Sequence, residues 1–468
     1  MPPVTCDIPA EGKLVDVSGT TNVVGDGTPA SCTEQALRAA VAVGGAIRFA
    51  CGAAPITIVL TQPLVINNVA GADMLGDTTI DGGGIVTLSG GNATRIITLD
   101  ACSMPFNSPH CDTFPHPHLT VERLAFVDGL DSGTDGGGAI LRRGGALTVI
   151  DSQFKNNRGA MTGQDTAGGA LRLVYATPAL IVGSTFDGNR CSNGGAIGSL
   201  QAAPVAIINT AITNNTATGT GGNPGNGGNG GGIYHDGVSL ALSLCGVSVR
   251  SNHGNAYGGG IFYVDDAGQG TVAITNSEIS DNDIPVVTGK PSHGGAGYLQ
   301  GAVITLANTT IANDRAGFAA GLYVNAMNGM GSLDATNLTV TGMTTGDGLT
   351  IENLGGTLLD ATIAGNQRGI GGAAKLTLTN TVLANTTDCD VPALGGTGSI
   401  QRTATCGAAI TGDAMLGALQ DNGGTTHVRT MAPAAGSPAA GAGQGCPATD
   451  ARGLPRPMSG CTSGAHQL

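Results

Sequence analysis

"GSTFDGN", residues 183–189, has a shape that recurs along the chain. The same short β-prone segment ending in apolar-x-x-Asn returns as "DSQFKNN" (151–157), "NTAITNN" (209–215), "GVSVRSN" (246–252) and "NSEISDN" (276–282). It continues through Asn366 in "ATIAGNQ" and Asn385 in "NTVLANT", with weaker copies in "NTTIAND" and "NLTVTGM". The copies lie about twenty to forty residues apart, the range of stacked supersecondary units. The asparagine recurs with no chemical partner beside it. A carboxamide both donates and accepts, so asparagines at one corner of successive coils can hydrogen-bond up a stack.

A second unit alternates with the first: "GGGAIL", "GGALRL", "GGAIGS", "GGGIYH", "GGGIFY", "GGAGYL" and "AAGLYV". Glycine tolerates positive φ and so permits a sharp corner; the apolar residue after it begins a short strand. Each coil then reads strand, corner, strand, corner, strand, with like positions stacked about 4.8 Å apart. Helical periodicity is absent from residues 56–400. The expected fold is all-β: a right-handed single-stranded parallel β-helix over 56–400, an N-terminal cap over 1–55 and a Gly/Ala/Pro-rich C-terminal cap region over 401–468.

Composition agrees. The 80 glycines in 468 residues follow no Gly-X-Y period, which excludes collagen, and 41% hydrophobic with 11% charged residues excludes a disordered chain. The net charge is −13 and the only lysines are Lys13, Lys155, Lys290 and Lys375, so no footprint for a nucleic-acid backbone exists. No apolar run nears the ~20 residues that span a bilayer. The opening "MPPVTCDIPA" lacks the basic-then-apolar pattern of a signal segment. Eleven cysteines without zinc-type spacing indicate disulfides, hence an extracellular or cell-surface protein. Cys32 and Cys51, Cys102 and Cys111, Cys389 and Cys406, and Cys446 and Cys461 are near in sequence; Cys191 and Cys245 are placed to pair across layers, which leaves Cys6 over.

The alternation of GGAI with FxxN resembles the right-handed β-helix repeats of bacterial surface proteins, including polymorphic outer-membrane protein passengers. "SCTEQALRAAVAVGGAIRFACG" followed by "TIDGGG" is similar to the N-terminal part of such proteins. "LGALQDNGGTTHVRTMAPAAGSPAAGAG" with the later "CPATDARGLPRP" resembles their choice-of-anchor Q region. The resemblance implies the fold and leaves function open, since β-helices carry adhesins, lyases, hydrolases and epimerases alike. At the N-terminus, Ser31 and Glu34 have capping-box spacing before "QALRAAVAV", which predicts a short helix covering the first strand edge. Asp450 and Arg452 in "TDARG" are expected to form a structural ion pair.

Only 3% of residues are aromatic, yet five of six tyrosines lie between Tyr234 and Tyr323. Aligning strands on their glycines puts Ile140, Leu171, Ile197, Ile233, Ile261 and Leu322 in one inward column. The next column holds Leu141, Arg172, Gly198, Tyr234, Phe262, Tyr298 and Tyr323; two further on stand Asp236, Gln300, Asn325 and Glu352. A slip of one residue would bury the rings and expose His235 and Tyr263 instead. Arg172 and Asp236 favour the outward assignment. Outward rings beside hydrogen-bonding groups suit sugars, whose faces are apolar and edges polar.

Two chemistries are compatible with that face. A glycosidase needs two carboxylates, and Asp236 with Asp265 or Asp266 on the next coil offers them. A polysaccharide lyase needs a base (Tyr298, His293 or His235) and a cation (Lys290 or Arg315). Asp128, Asp131 and Asp135 form an oxygen-rich loop suited to calcium without EF-hand spacing, and His110, His116 and His118 cluster in a proline-rich segment. No cofactor is otherwise required. The expectation is a monomeric surface or secreted protein that binds an extended glycan over Tyr234, Phe262, Tyr298 and Tyr323 and leans towards cleaving it; the alternative is a non-enzymatic adhesin or structural β-helix.

Overall fold

The computed structural model describes residues 5–66, 69–71, 74–102, 111–222, 224–285, 292–372, 375–390 and 396–468. The chain divides into two compact units, 7–236 and 237–468, the second including residues 3–6. Each is a stretch of parallel β-helix, as the repeats predict.

In the first unit one sheet face runs Leu64–Val65, Ile97–Asp100, Ile140–Arg143, Leu171–Val174, Ile197–Leu200, ending on the strand that begins at Ile233. All pairs are parallel, with Ile140 opposite Leu171, Leu171 opposite Ile197 and Ile197 opposite Ile233. The FxxN segments form the neighbouring face. Phe126, Phe154 and Phe186 stack inside it with ring centroids 4.8 and 4.5 Å apart. Beside them Asn189 accepts from the N–H and Nδ2 of Asn157 and itself donates to Asn215 Oδ1 and to the Phe154 carbonyl. The residue that opens these repeats adopts the left-handed conformation (Asp151, Gly183, Asn209), which explains why Asp, Gly and Asn stand there.

In the second unit the matching faces are Ile261–Asp265, Gly297–Gln300, Leu322–Asn325, Asp347–Glu352 and Arg368–Gly371, and Ser248–Arg250, Glu278–Ser280, Ala302–Ala312 and Ser332–Thr341. Its asparagine ladder runs Asn252, Asn282, Asp314, with Asn366, Asn385 and Asp388 further on.

The helix is Glu34–Val43, with Leu37, Ala40 and Val41 buried. Its N-cap is Thr33, not Ser31: Thr33 Oγ1 accepts from Ala36 N, whereas Ser31 serves the preceding turn by bonding Asp26 N and the Thr28 carbonyl. The C-terminal segment packs on the second unit. It runs along the left-handed corners of the second unit, where Arg429 pairs with Glu278 at 2.6 Å and Asn337 Nδ2 donates to the Thr449 carbonyl at 3.1 Å. Asn380 likewise exchanges hydrogen bonds with Gln444, and the expected Asp450–Arg452 pair is buried at 2.6 Å.

Four of the five disulfides join the neighbours expected from sequence. The fifth is a correction: Cys6 bonds Cys245, and Cys191 is the free, buried thiol, pushed up to about 12 by burial. The N-terminal segment returns to a distant corner, a long-range contact that cysteine spacing cannot reveal.

Candidate functional site

The outward register is observed at Tyr298, whose strand Gly297–Gln300 alternates buried and half-buried residues, with Phe262 and Tyr323 opposite it in the second unit; Gly198 lies opposite Tyr234 in the first. His235 and Tyr263 are the inward, fully buried neighbours. The supporting premise about arginine does not hold, however. Arg142, two residues after inward Ile140, is itself wholly buried; its Nη1 and Nη2 donate to Thr177 Oγ1 and to the Val174 and Thr177 carbonyls, and burial lowers it to about 9.

Facing outward does not leave the rings open. Tyr234 is 0% exposed and Tyr323 8%, and Phe262 is also buried, whereas Tyr298 is half-buried. In the second unit the cover is a second column of rings. Tyr257, His293 and Phe318 each stand one residue before the glycine or alanine corner of its coil, kept level by Gly258 N to the His293 carbonyl and Gly294 N to the Ala319 carbonyl. His293 lies 5.3 Å edge-on from Tyr323, 5.1 Å from Phe318 and 5.7 Å from Tyr257, and Tyr257 is 5.0 Å from Tyr298. Phe262, Tyr298 and Tyr323 are stacked at 5.5 and 4.9 Å with interplanar angles of 11° and 15°. Tyr257 and Phe318 were not anticipated. Their signal was present, since aligning on the glycine corner puts both in register with His293.

The hydroxyls are fixed by the polar column beyond. Tyr298 donates to Gln300 Oε1 at 2.8 Å and Tyr323 to Glu352 Oε2 at 2.9 Å. Burial pushes the Tyr298 phenol up to about 12; burial and then Glu352 also raise Tyr323. His293 is lowered by burial, against a smaller pull from Glu352, and its Nδ1 has no hydrogen-bond partner among the described residues. Asn325 accepts from Asn353 at 3.2 Å. Phe318, at 42% exposed, and half-buried Tyr257 and Tyr298 present the accessible ring surface.

Two of the three candidate carboxylates are occupied. Asp236, in the first unit, accepts from the Tyr234 hydroxyl at 2.6 Å. Asp265, in the second, is fully buried, with Oδ2 taking Leu240 N at 2.7 Å and Oδ1 taking Ala267 N at 3.0 Å; it closes a turn. Asp266 is exposed. Arg315 stands apart from the rings, in a cleft of about 420 Å³ with Asp281, Asp283, Asn313 and Thr344. Lys290 and His110 lie outside the described residues. Of the aspartates considered for calcium, Asp131 is held by Arg95 at 2.8 Å and by the N–H groups of Gly133 and Gly136, and Asp135 pairs with Arg143 at 3.0 Å. Among the described residues the one converging trio of ligand-type atoms is instead Asp360, Cys446 and Cys461, in which both sulfurs are in a disulfide.

Fold and site together define a disulfide-bonded parallel β-helix protein with a clustered aromatic face. No family model matches the chain, the C-terminal region included, and no curated protein matches it. Among solved structures it is similar to PfbA, a surface adhesin of Streptococcus pneumoniae, at 11% identity and a TM-score of 0.45, over 88% of this chain and 99% of that one. No described helix is long and apolar enough to cross a membrane.

Proposed function

We propose that the protein is a non-enzymatic surface or secreted binding protein that holds an extended polysaccharide against Tyr257, Tyr298 and Phe318. The observation that carries this is the pair of ring columns, one of which has the Tyr298 and Tyr323 hydroxyls tied. Rings held by stacking and by Gln300 and Glu352 form a rigid, part-apolar surface with a polar edge, and a sugar ring loses little entropy by lying on it. Cleavage is not favoured, because Asp236 and Asp265 are committed to a tyrosine and to backbone amides, which leaves exposed Asp266 without the second carboxylate that a glycosidase needs. Five disulfides support an oxidising location.

A glycan panel tests this. Binding is expected for at least one neutral polysaccharide, with neither new reducing ends nor the absorbance of unsaturated uronates. Phe318→Ala is expected to weaken that binding about fivefold with little change in thermal midpoint, the effect of losing roughly 1 kcal/mol of ring contact. New reducing ends would establish a hydrolase and end the non-catalytic reading. Binding that ignores Phe318→Ala, Tyr257→Ala and Tyr298→Ala alike would remove the glycan from this face.

A further inference from the structure

The first unit carries a second cleft, of about 740 Å³, that no part of the aromatic face explains. Its lining includes Arg48, Phe49, Asp81 and Arg123 from the sheet and the segment Leu14–Ser18 laid beside them. Arg48 and Asp81 are register partners on adjacent coils, and Asp81 is in turn opposite Glu122. Two of these charges neutralise each other: Arg123 Nε donates to Asp81 Oδ1 at 2.9 Å and its Nη2 to Oδ2. Glu122, 0% exposed, is held by Val15 N at 2.9 Å, which ties the Leu14–Ser18 segment to the sheet.

Arg48 is left over. Its Nε is shielded from water and has no hydrogen-bond partner among the described residues. The guanidinium makes no ion pair among the described residues, so its charge is available to an anion that enters the cleft. The rest of the cleft offers apolar surface from Leu14 and Val15, which are 44% and 40% exposed, and from Phe49, with Asp16 and Ser18 at its rim as groups for hydroxyls.

We propose that this cleft binds a carboxylate-bearing sugar, with the carboxylate on the Arg48 guanidinium and the ring against Leu14, Val15 and Phe49. The planar fork of an arginine suits a carboxylate, and the mixed apolar and hydroxylic wall suits a pyranose more than a simple inorganic anion. The site is independent of the aromatic face: it lies in the other unit and takes an acidic rather than a neutral sugar.

Amide shift mapping with methyl glucuronide, methyl glucoside and sulfate as probes tests it on the unaltered protein. Shifts are expected with glucuronide, at residues 14–18, 48–49 and 81–83, and much weaker ones with glucoside or sulfate. Arg48→Gln should weaken glucuronide binding at least about tenfold, with Arg48→Lys in between because it keeps the charge and loses the fork. Equal binding of glucoside, glucuronide shifts elsewhere in the chain, wild-type affinity in Arg48→Gln, or no shift at millimolar glucuronide would each overturn the proposal. If Arg48→Gln fails to fold, the wild-type shift map and Arg48→Lys still decide it.

Discussion

Asn189→Ala is expected to lower the stability of the first unit by roughly 4 kcal/mol, the largest single-residue effect anticipated outside the hydrophobic core. The side chain is wholly buried. Its Oδ1 accepts from both Asn157 N and Asn157 Nδ2, at 2.9 and 3.0 Å, while its Nδ2 reaches the Phe154 carbonyl at 3.1 Å and Asn215 Oδ1 at 2.9 Å. Alanine removes one residue's polar atoms and strands those of its neighbours. Asn157 N–H, Asn157 Nδ2 and the Phe154 carbonyl would remain shielded without that partner, at about 1–3 kcal/mol for each group left truly unsatisfied. Asn157 Nδ2 retains the Phe126 carbonyl at 3.0 Å, which keeps the sum towards the low end. Urea unfolding followed by circular dichroism measures the change. An exposed left-handed asparagine such as Asn214, which bonds Asp187 at 2.7 Å, is the control and should change stability by less than about 1 kcal/mol when replaced by glycine. A loss at Asn189 no greater than at Asn214 would mean that the ladder contributes little.

The ladder is also where the sequence was most legible. A buried amide that must bond its own copy leaves the same letter at the same place in most coils, so "FDGN", "ITNN" and "ISDN" announce the stacking without any structure. The strand period of two then sufficed to orient Tyr298 and Tyr323 correctly from their glycine corners. Burial was not legible by the same means. Whether an outward ring is open depends on what lies over it, and Tyr257, His293 and Phe318 come from the ends of loops whose lengths differ from coil to coil.

Two of the misreadings have a common cause, which is satisfaction by backbone. Arginine is a poor core residue unless carbonyls receive its donors, and those that receive Arg142 lie 32 and 35 residues away. Asp265 looked like a free acid in "VDDAG", yet its oxygens are used by the amides of Leu240 and Ala267. The pairing of Cys6 with Cys245 depends on a contact 239 residues apart, and local spacing favoured Cys191 instead. Periodic side-chain patterns are therefore readable in this fold, whereas non-repeating partners of single polar groups are not.

Asp314→Asn is expected to stabilise the second unit, by about 1–3 kcal/mol at neutral pH, even though it replaces a natural residue in a fully buried position. Asp314 occupies a ladder rung: its Oδ1 accepts Asn282 N at 2.8 Å and Asn282 Nδ2 at 2.9 Å, as an asparagine oxygen would. On other rungs the nitrogen donates to the carbonyl three residues before the ladder position of the preceding coil. Asn189 reaches Phe154, Asn215 reaches Phe186, Asn282 reaches Val249 and Asn385 reaches Ile363. By that rule the second oxygen of Asp314 faces the Ile279 carbonyl, and it has no hydrogen-bond partner among the described residues. An ionised carboxylate there meets another acceptor in a dry site, so burial raises its pKa well above the usual carboxylate range despite the two bonds from Asn282. Protonated, it can donate to Ile279; as asparagine, it can do so at every pH.

The sign follows from linkage. A carboxyl that holds its proton more tightly when folded contributes stability that is complete below its unfolded value, near 4, and that is lost as pH rises through the raised folded value. The wild-type protein should therefore lose stability over that range while Asp314→Asn does not, and the gap between them should widen with pH before levelling off. Denaturation midpoints of the two proteins across pH 4 to 9 measure it. A variant equal to or weaker than wild type at high pH would show that the carboxylate is accommodated charged, and that the rung at Asp314 differs from those at Asn189 and Asn282.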